Sequence, residues 1–206
     1  MKVRITLGVL LFALILDAHA EVPAQAGTCV ACHGADGQGN PALGAPRLAG
    51  QQAVYLETQL QNFKSGRRGY DVRDTHGTQM RAIASPLSDS DMQSLAGYFS
   101  SQTLTGKRKA APSDEPHGQA LYQATCSACH GPKGEGFAHL KTPNLGILDS
   151  AYIERQLEHF AQGLRGGENH ADELGIWMRG IALQIANEGD RKSVATYLGS
   201  QTSAAP

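Results

Sequence analysis

The 206-residue chain lacks an excess of basic charge, because its 18 lysines and arginines are balanced by 19 aspartates and glutamates. It has no basic stripe and no polybasic tail, which argues against a nucleic acid as partner. No run shows sustained alternation of apolar and polar residues, so the sequence predicts no β-sheet of consequence. After residue 16 no segment approaches the length that spans a membrane, so we expect a mature protein that is soluble or peripheral to a membrane.

Cysteine is also scarce, since the chain has only four, and two pentapeptides contain all of them. These are CVACH at residues 29–33 and CSACH at residues 126–130. Cys-x-x-Cys-His is the attachment motif of c-type haem. Two thiols one short turn apart can add to the two vinyl groups of one porphyrin, and the following histidine then binds the iron through a neutral nitrogen. The sequence therefore predicts two covalently attached haem c groups, with His33 and His130 as proximal ligands. The attaching residues would be Cys29, Cys32, Cys126 and Cys129.

The cysteine pairs alone are also compatible with a disulfide framework, a zinc site or a redox dithiol. None of these requires a histidine directly after both pairs, so haem is the favoured interpretation. The low aromatic content of 6% agrees with it. A haem would supply the apolar core volume that such small domains otherwise lack.

The N-terminus has the pattern of an export signal. Lys2 and Arg4 precede the apolar stretch 5–16, and 18–20 form an A-x-A cleavage site. This pattern is typical of a secretory signal peptide and is too short for a comfortable membrane span. We therefore expect cleavage after Ala20 and, in a bacterium, haem attachment in the periplasm. The alternative is retention of the segment as an N-terminal anchor.

The rest of the chain is a tandem repeat. A shift of 97 residues aligns Cys29 with Cys126, and the same shift aligns GQG at 37–39 with GEG at 134–136. Between the two copies lies a charged segment with two prolines, which is typical of an extended linker. The predicted units are a signal peptide over 1–20, a first domain over 21–102, a linker over 103–116 and a second domain over 117–206.

Apolar spacing predicts helices in both copies. Residues 54–63 carry an apolar stripe on one helix face, and residues 152–160 repeat it. Ser88 and Asn187 are good N-caps for the last helix of each copy, because each is followed by an aspartate three residues later. Residues 118–125 predict a short helix that leads into the second haem motif. We therefore expect an all-α fold.

A haem iron with one histidine ligand has a second face to assign. A methionine there favours electron transfer, whereas an open face favours the binding or activation of small molecules. Met80 and Met178 occupy equivalent positions in the two copies, and no helical stripe requires an apolar residue there, so they are the candidate distal ligands. Met92 lies inside a predicted helix and is interpreted as a core residue.

The remaining histidines of the mature chain are weaker candidates, because none aligns with another histidine under the repeat. His159 in particular is expected at an exposed helix surface. We interpret all of them as surface or structural residues rather than iron ligands. They are His76, His117, His139, His159 and His170.

Matched loops supply candidates for orienting the proximal histidines. Pro46 and Pro143 lie at equivalent positions, and a carbonyl there could accept the N–H of the proximal imidazole. Arg47 could neutralise a haem propionate in the first domain. Its counterpart is Asn144, so the two haems should differ electrostatically.

A helix in each copy presents a tyrosine and a glutamine at i, i+4 spacing. These side chains share one face and could donate to haem propionates. The alternative is ordinary surface hydrogen bonding. The four residues are Tyr55, Gln59, Tyr152 and Gln156.

With these residues in view, the chain resembles the dihaem cytochrome c4 family over nearly all of its mature length, from Cys29 to Gln201. The resemblance lies in C-x-x-C-H-G with two glycines after it, in PRLAGQ at 46–51, in Y-L-x-x-Q-L-x-x-F at 55–63 and in Met80. The second copy repeats the pattern in weaker form, with TPNLG in place of the PRLAGQ run. Only eight residues separate the expected cleavage site from the first haem motif, so the usual first helix would be very short.

The resemblance implies two class I cytochrome c domains related by pseudo-two-fold symmetry, with haems that face each other across the interface. It implies a periplasmic electron carrier, often loosely membrane-associated. Its donor would be a membrane quinol–cytochrome c reductase or another reductant, and its acceptor a haem–copper oxidase, for example of the cbb3 type.

Three functions remain open at this point. Matched methionines favour electron transfer without catalysis in a respiratory chain. A dihaem enzyme, such as a peroxidase or a thiosulfate-oxidising enzyme, needs an open iron or another ligand, and no cysteine is spare to supply a thiolate. The third function is a haem subunit, or a dedicated electron acceptor, of a sulfur-oxidising flavocytochrome or thiosulfate-oxidising complex.

Overall fold

The computed structural model describes residues 22–105, 115–167, 169–170, 172–185 and 187–201. The predicted signal peptide, residues 1–20, and most of the predicted linker, residues 103–116, lie outside this part of the chain. Within the described residues there is no β-strand, only an isolated bridge between Asn40 and Ala45. No helix in the same residues is both long and apolar enough to cross a membrane.

The described part of the first half contains four α-helices. They are α1 (Ala26–His33), α2 (Ala53–Lys64), α3 (Thr75–Ala84) and α4 (Asp89–Ser101). The start of α4 confirms the predicted cap, because Ser88 Oγ accepts a bond of 3.1 Å from the backbone N–H of Asp91. The Asp91 carboxylate accepts in return from the backbone N–H of Ser88, which completes a capping box.

The described part of the second half repeats this order with one more helix at its start. The helices are α5 (Pro116–Thr125), α6 (Ser127–His130), α7 (Ser150–Ala161), α8 (Glu173–Ala182) and α9 (Glu188–Ser200). Asn187 caps α9 as predicted, since its side-chain oxygen accepts from the backbone N–H of Asp190 at 2.9 Å.

Helices α3 and α8 have no counterpart among the helices predicted from the apolar spacing. Each begins at an aspartate N-cap: Asp74 accepts from the N–H of Gly77, and Asp172 accepts from the N–H of Gly175, both at 2.8 Å. Each cap satisfies a backbone N–H of the first turn and so marks the start of the helix. Both candidate distal methionines therefore lie within helices.

Each half has its own apolar core. In the first half, α2 packs on α4, and the core includes Leu56, Phe63, Leu95 and Met92, which is 1% exposed. The interpretation of Met92 as a core residue is thus confirmed. In the second half, α5 and α7 pack on α9 around a separate cluster. The predicted all-α fold of two tandem domains is confirmed.

Candidate haem sites

The first haem motif ends at the C-terminus of α1, where His33 points into the protein and is buried. Its Nδ1 lies 2.8 Å from the carbonyl oxygen of Pro46. A carbonyl oxygen only accepts, so Nδ1 carries the proton and Nε2 keeps its lone pair. Burial lowers the pKa of His33, and the bond to Pro46 opposes only part of that shift. The result is a neutral imidazole with one nitrogen available for coordination.

The second motif repeats this arrangement with a longer contact. His130 is buried at the end of α6, and its Nδ1 lies 3.5 Å from the carbonyl oxygen of Pro143. Burial lowers the pKa of His130 to about 4. The two prolyl carbonyls therefore accept from the same ring nitrogen, Nδ1, of each histidine, and the distance is shorter in the first half.

Glycines allow these loops to approach the motifs. Gly39 has φ = 81°, and a Cβ there would lie 2.9 Å from the backbone nitrogen of Arg47. Its equivalent Gly136 has φ = 71°, and a Cβ there would lie 2.5 Å from the carbonyl oxygen of Pro143. Glycine at these positions is thus required both by backbone conformation and by the close packing that places the prolyl carbonyl.

All four cysteine thiols are free in the structure. Cys32 and Cys129 are exposed, whereas Cys29 and Cys126 are partly buried. Burial raises the pKa of the Cys126 thiol to about 11, and it also raises that of Cys29. In each pair one thiol thus faces the interior and one faces outward.

A cavity of about 510 Å³ lies in the second half and fits a haem. Cys126, Cys129, His130 and Met178 all line it. Most of the remaining wall is aliphatic or aromatic, including Leu145, Leu148, Ile153, Leu157, Phe160, Val194 and Leu198. Two thiols, a neutral imidazole and a thioether around one apolar space form the donor set of a covalent haem with histidine and methionine ligands.

In the first half, two of the corresponding residues, Cys29 and Met80, pack against one apolar cluster. Met80 is half-buried on α3 and packs against the first core, as do Cys29 and Leu48. Arg47 is half-buried and follows directly on the proline whose carbonyl meets His33. Its counterpart Asn144 has another use, because its backbone exchanges two hydrogen bonds with the buried Gln51 side chain of the first half.

The predicted tyrosines and glutamines meet at the interface between the halves, around two arginines that the sequence analysis missed. Arg68 donates to Gln156 at 3.0 Å and to Tyr152 at 3.1 Å across the interface, and to Gln59 within its own half at 2.8 Å. Arg165 reverses the pattern, with 3.0 Å to Gln59, 3.5 Å to the hydroxyl of Tyr55 and 2.8 Å to Gln156. The crossed contacts show the pseudo-two-fold relation of the halves. The repeat could have identified these two arginines, because they are separated by the same 97 residues as the haem motifs.

These arginines lack full compensation of their charge. Arg68 is 8% exposed, yet its three acceptors are neutral side chains, and its Nε is buried without a hydrogen-bond partner. Buried charges are normally paired. Burial would raise the pKa of Tyr152, but the positive charges of Arg68 and Arg165 outweigh burial and lower this pKa. All of these groups also line the cavity, so an anionic group such as a haem propionate fits at its inner edge.

The expectation of an exposed His159 is wrong, because the first half covers it. Its side chain is 12% exposed and its Nδ1 lies 3.6 Å from Asp74 Oδ1. By contrast, His117 is exposed and contacts Asp190. His170 stacks on Tyr70, with ring centroids 4.5 Å apart.

Helix α8 exposes an apolar surface beside the cavity. Trp177 is 63% exposed and also lines the cavity. Ile176 and Leu183 extend this surface along α8 and its C-terminal end. The equivalent positions of the first half are polar: Thr78, Gln79 and Ser85. The two halves therefore present different surfaces at matching places.

Comparison with known proteins agrees with this geometry. The cytochrome c family matches the chain twice, over residues 22–103 and 116–202. The thiosulfate dehydrogenase electron acceptor of Thiomonas intermedia is 35% identical over 95% of this chain and 88% of that protein. Cytochrome c4 of Pseudomonas aeruginosa is 32% identical over 94% of both chains.

Among solved structures, cytochrome c4 of Acidithiobacillus ferrooxidans superposes with a TM-score of 0.69. It is 30% identical, and the match covers 84% of this chain and 99% of that one. The repeat, the paired haem motifs and the helical fold thus have one common explanation. The chain belongs to the dihaem cytochrome c4 family, whose members are electron-transfer proteins with two covalently bound haem c groups and not enzymes.

Proposed function

We propose that each haem iron is held between a histidine and a methionine, His33 with Met80 and His130 with Met178. The observation that supports this most directly is the cavity of the second half, where His130, Met178 and both attaching cysteines line one apolar space. Bound haem supplies one-electron oxidation and reduction, and a thioether ligand raises its reduction potential. The protein then has to keep the same axial side chains in place in both redox states.

The surrounding residues have distinct roles in this proposal. The carbonyl oxygens of Pro46 and Pro143 fix the tautomer and the orientation of the proximal imidazoles. Arg68 and Arg165 contact haem propionates at the interface, and Arg47 contacts a propionate in the first half. The tyrosine and glutamine side chains bonded to Arg68 and Arg165 complete the polar environment. They are Tyr55, Gln59, Tyr152 and Gln156.

The proposed physiological role is to carry electrons in a periplasmic respiratory chain toward a terminal oxidase. A quinol–cytochrome c reductase would supply the electrons, and a haem–copper oxidase, for example of the cbb3 type, would accept them. Membership of the cytochrome c4 family supports electron transfer as the role, and the direction toward an oxidase is part of the proposal. The test is stopped-flow oxidation of the reduced holoprotein by a purified oxidase. Rapid oxidation of both haems supports the role, and oxidation no faster than by dioxygen alone contradicts it.

A second candidate is that of dedicated acceptor, or haem subunit, for a sulfur-oxidising enzyme. It is favoured by the similarity to an electron acceptor of thiosulfate dehydrogenase over nearly the whole chain. Mixing the oxidised holoprotein with a thiosulfate dehydrogenase and thiosulfate, and separately with a quinol–cytochrome c reductase and quinol, distinguishes the two. The faster reductant identifies the donor.

We also propose that residues 1–20 are removed on export to the periplasm, that the protein associates at most peripherally with the membrane, and that the domains span 21–102 and 117–206 around a linker at 103–116. Intact mass measurement of the purified holoprotein tests the cleavage. A chain that begins at Glu21 with two haems supports it, and a chain that retains the apolar segment contradicts it.

A further inference from the structure

The first turn of helix α8 is held by a residue from the other half of the molecule. Asp172 caps this helix with Oδ1, which accepts from the N–H of Gly175 at 2.8 Å. Its second oxygen, Oδ2, accepts from Nδ2 of Asn62, a buried residue on α2 of the first half. One carboxylate thus ties the N-terminus of α8 to the opposite domain.

The repeat places a looser contact at the equivalent position, in the reverse direction. The position equivalent to Asn62 on α7 is His159. Its Nδ1 lies 3.6 Å from Asp74 Oδ1, and this oxygen accepts from the N–H of Gly77 in the first turn of α3 at 2.8 Å. At 3.6 Å the contact is longer than a hydrogen bond, so we regard it as the weaker of the two anchors.

Both caps sit on tightly packed first turns. A Cβ at Gly69 would collide with the carbonyl oxygen of Gly77, and one at Gly166 would collide with that of Gly175. The first turn of each helix therefore has little room to move relative to the loop beneath it. A displacement of the cap is passed along the helix, because an α-helix is a rigid element over so short a length.

The candidate ligand methionines lie on these two helices. Met80 is the sixth residue of α3, and Met178 is the sixth residue of α8. Asn62 of the first half and Asp172, Gly175 and Met178 of the second half all line the same cavity. The Asn62–Asp172 hydrogen bond and the Met178 thioether therefore lie in the wall of the same cavity.

We propose that Asn62 is a positioning residue for Met178, and His159 for Met80, so that each half of the protein aligns the axial methionine of the opposite haem. This inference rests on the proposed ligand role of the two methionines. In this proposal, contacts at the interface between the halves affect the strength of the bond between iron and methionine sulfur, in addition to holding the domains together.

Cyanide binding to the oxidised holoprotein tests the inference, because cyanide must displace the methionine from ferric iron. The two haems are distinguished with the variants Met80→Ala and Met178→Ala, each of which should convert one slow phase into a fast one. We expect Asn62→Ala to accelerate the second-haem phase about tenfold, the size of effect that loss of one hydrogen bond to a charged group produces. The first-haem phase should stay unchanged. His159→Ala should do the reverse, with a smaller acceleration.

Two further variants separate positioning from general destabilisation. His159→Asn gives the weaker anchor the side chain that the stronger one has, and it should slow the first-haem phase below that of the unmodified protein. Asn62→His should accelerate the second-haem phase less than Asn62→Ala does. Gln61→Ala, on the exposed side of α2, is the matched control and should change neither phase.

Three results for Asn62→Ala would overturn the positioning role while the ligand assignment stands. They are equal acceleration of both phases, acceleration of the first-haem phase alone, and no acceleration. If Met178→Ala itself leaves the second-haem phase unchanged, the ligand assignment fails and the inference fails with it.

Discussion

Replacing Arg68 should destabilise the interface between the halves more than any replacement at an exposed arginine. The guanidinium bonds three side chains, and its carbon lies 4.5 Å from the centroid of the Phe63 ring. Gln59 and Gln156 keep a donor from Arg165 when Arg68 is lost, so only the hydroxyl of Tyr152 is left without this partner.

The magnitude follows from these contacts. A hydrogen bond from a charged donor contributes about 1.5–3 kcal/mol, and a buried group left unsatisfied costs about 1–3 kcal/mol. Because the glutamines retain Arg165, we expect Arg68→Ala to lower the free energy of unfolding by about 2–3 kcal/mol. Arg68→Lys should recover only part of this loss, since one ammonium cannot reach all three acceptors with the geometry of a guanidinium.

The assay is guanidinium chloride unfolding of the holoprotein, followed by haem absorbance and by far-ultraviolet circular dichroism. Arg73→Ala is the control, because Arg73 is 67% exposed, lies outside the cavity wall and forms only a surface ion pair with Asp71, so its loss should change stability by about 1 kcal/mol or less. A loss of stability for Arg68→Ala that is no larger than the loss for Arg73→Ala would show that the contacts of Arg68 do not stabilise the interface.

Three further predictions concern the loops, the acid response and the exposed surface. Gly136→Ala should destabilise the second domain by at least about 1 kcal/mol, because φ at Gly136 is positive and the new Cβ would meet a backbone carbonyl. Gly97→Ala in α4 should instead stabilise the protein by up to about 1 kcal/mol, because the new Cβ meets no other atom there. Thermal unfolding measures both effects, and equal effects would contradict the role of close packing at Gly136. Burial alone would raise the pKa of Asp74, but His159 and the Gly77 N–H lower this pKa below its ordinary value. The ionised Asp74 carboxylate therefore stabilises the folded protein fully above about pH 4, and this contribution is lost as pH falls through the lowered pKa. Melting temperatures from pH 2.5 to 6 should therefore fall more steeply for the unmodified protein than for Asp74→Asn, and parallel curves would exclude this linkage. Leu183→Ser, which installs the residue of the first half at a position outside the cavity wall, should slow electron exchange with a redox partner several-fold at unchanged reduction potentials. Val72→Gln, at an exposed site of the first half, should not slow it, and equal rates for the two variants would show that the apolar surface of α8 takes no part.

Much of the fold was predictable because its signals are local or repeated. The cap at Ser88 and the core position of Met92 follow from a few neighbouring residues, and the structure confirms both. The two haem motifs define the repeat, and the repeat aligns the two methionines. What these predictions share is independence from contacts between the halves.

The features that the sequence did not reveal depend on such contacts or on caps. Helices α3 and α8 each begin at an aspartate cap, Asp74 or Asp172, whose side chain binds the N–H of a glycine three residues later, and a search for apolar stripes alone passes over that signal. The exposure of His159 is decided by the other half, which no local pattern contains. Arg68 and Arg165 follow glycine-containing loops after α2 and α7, so a search along one helix face passes over them, although the repeat aligns them.

We propose that this chain holds two complete histidine–methionine haem sites and works as an electron relay. The decisive measurement is a spectroelectrochemical titration of the purified holoprotein. Two one-electron transitions at high but distinct potentials are expected, from haems that are low-spin in both redox states. A high-spin component, or ready binding of carbon monoxide by the reduced protein, would show an open iron and would contradict it.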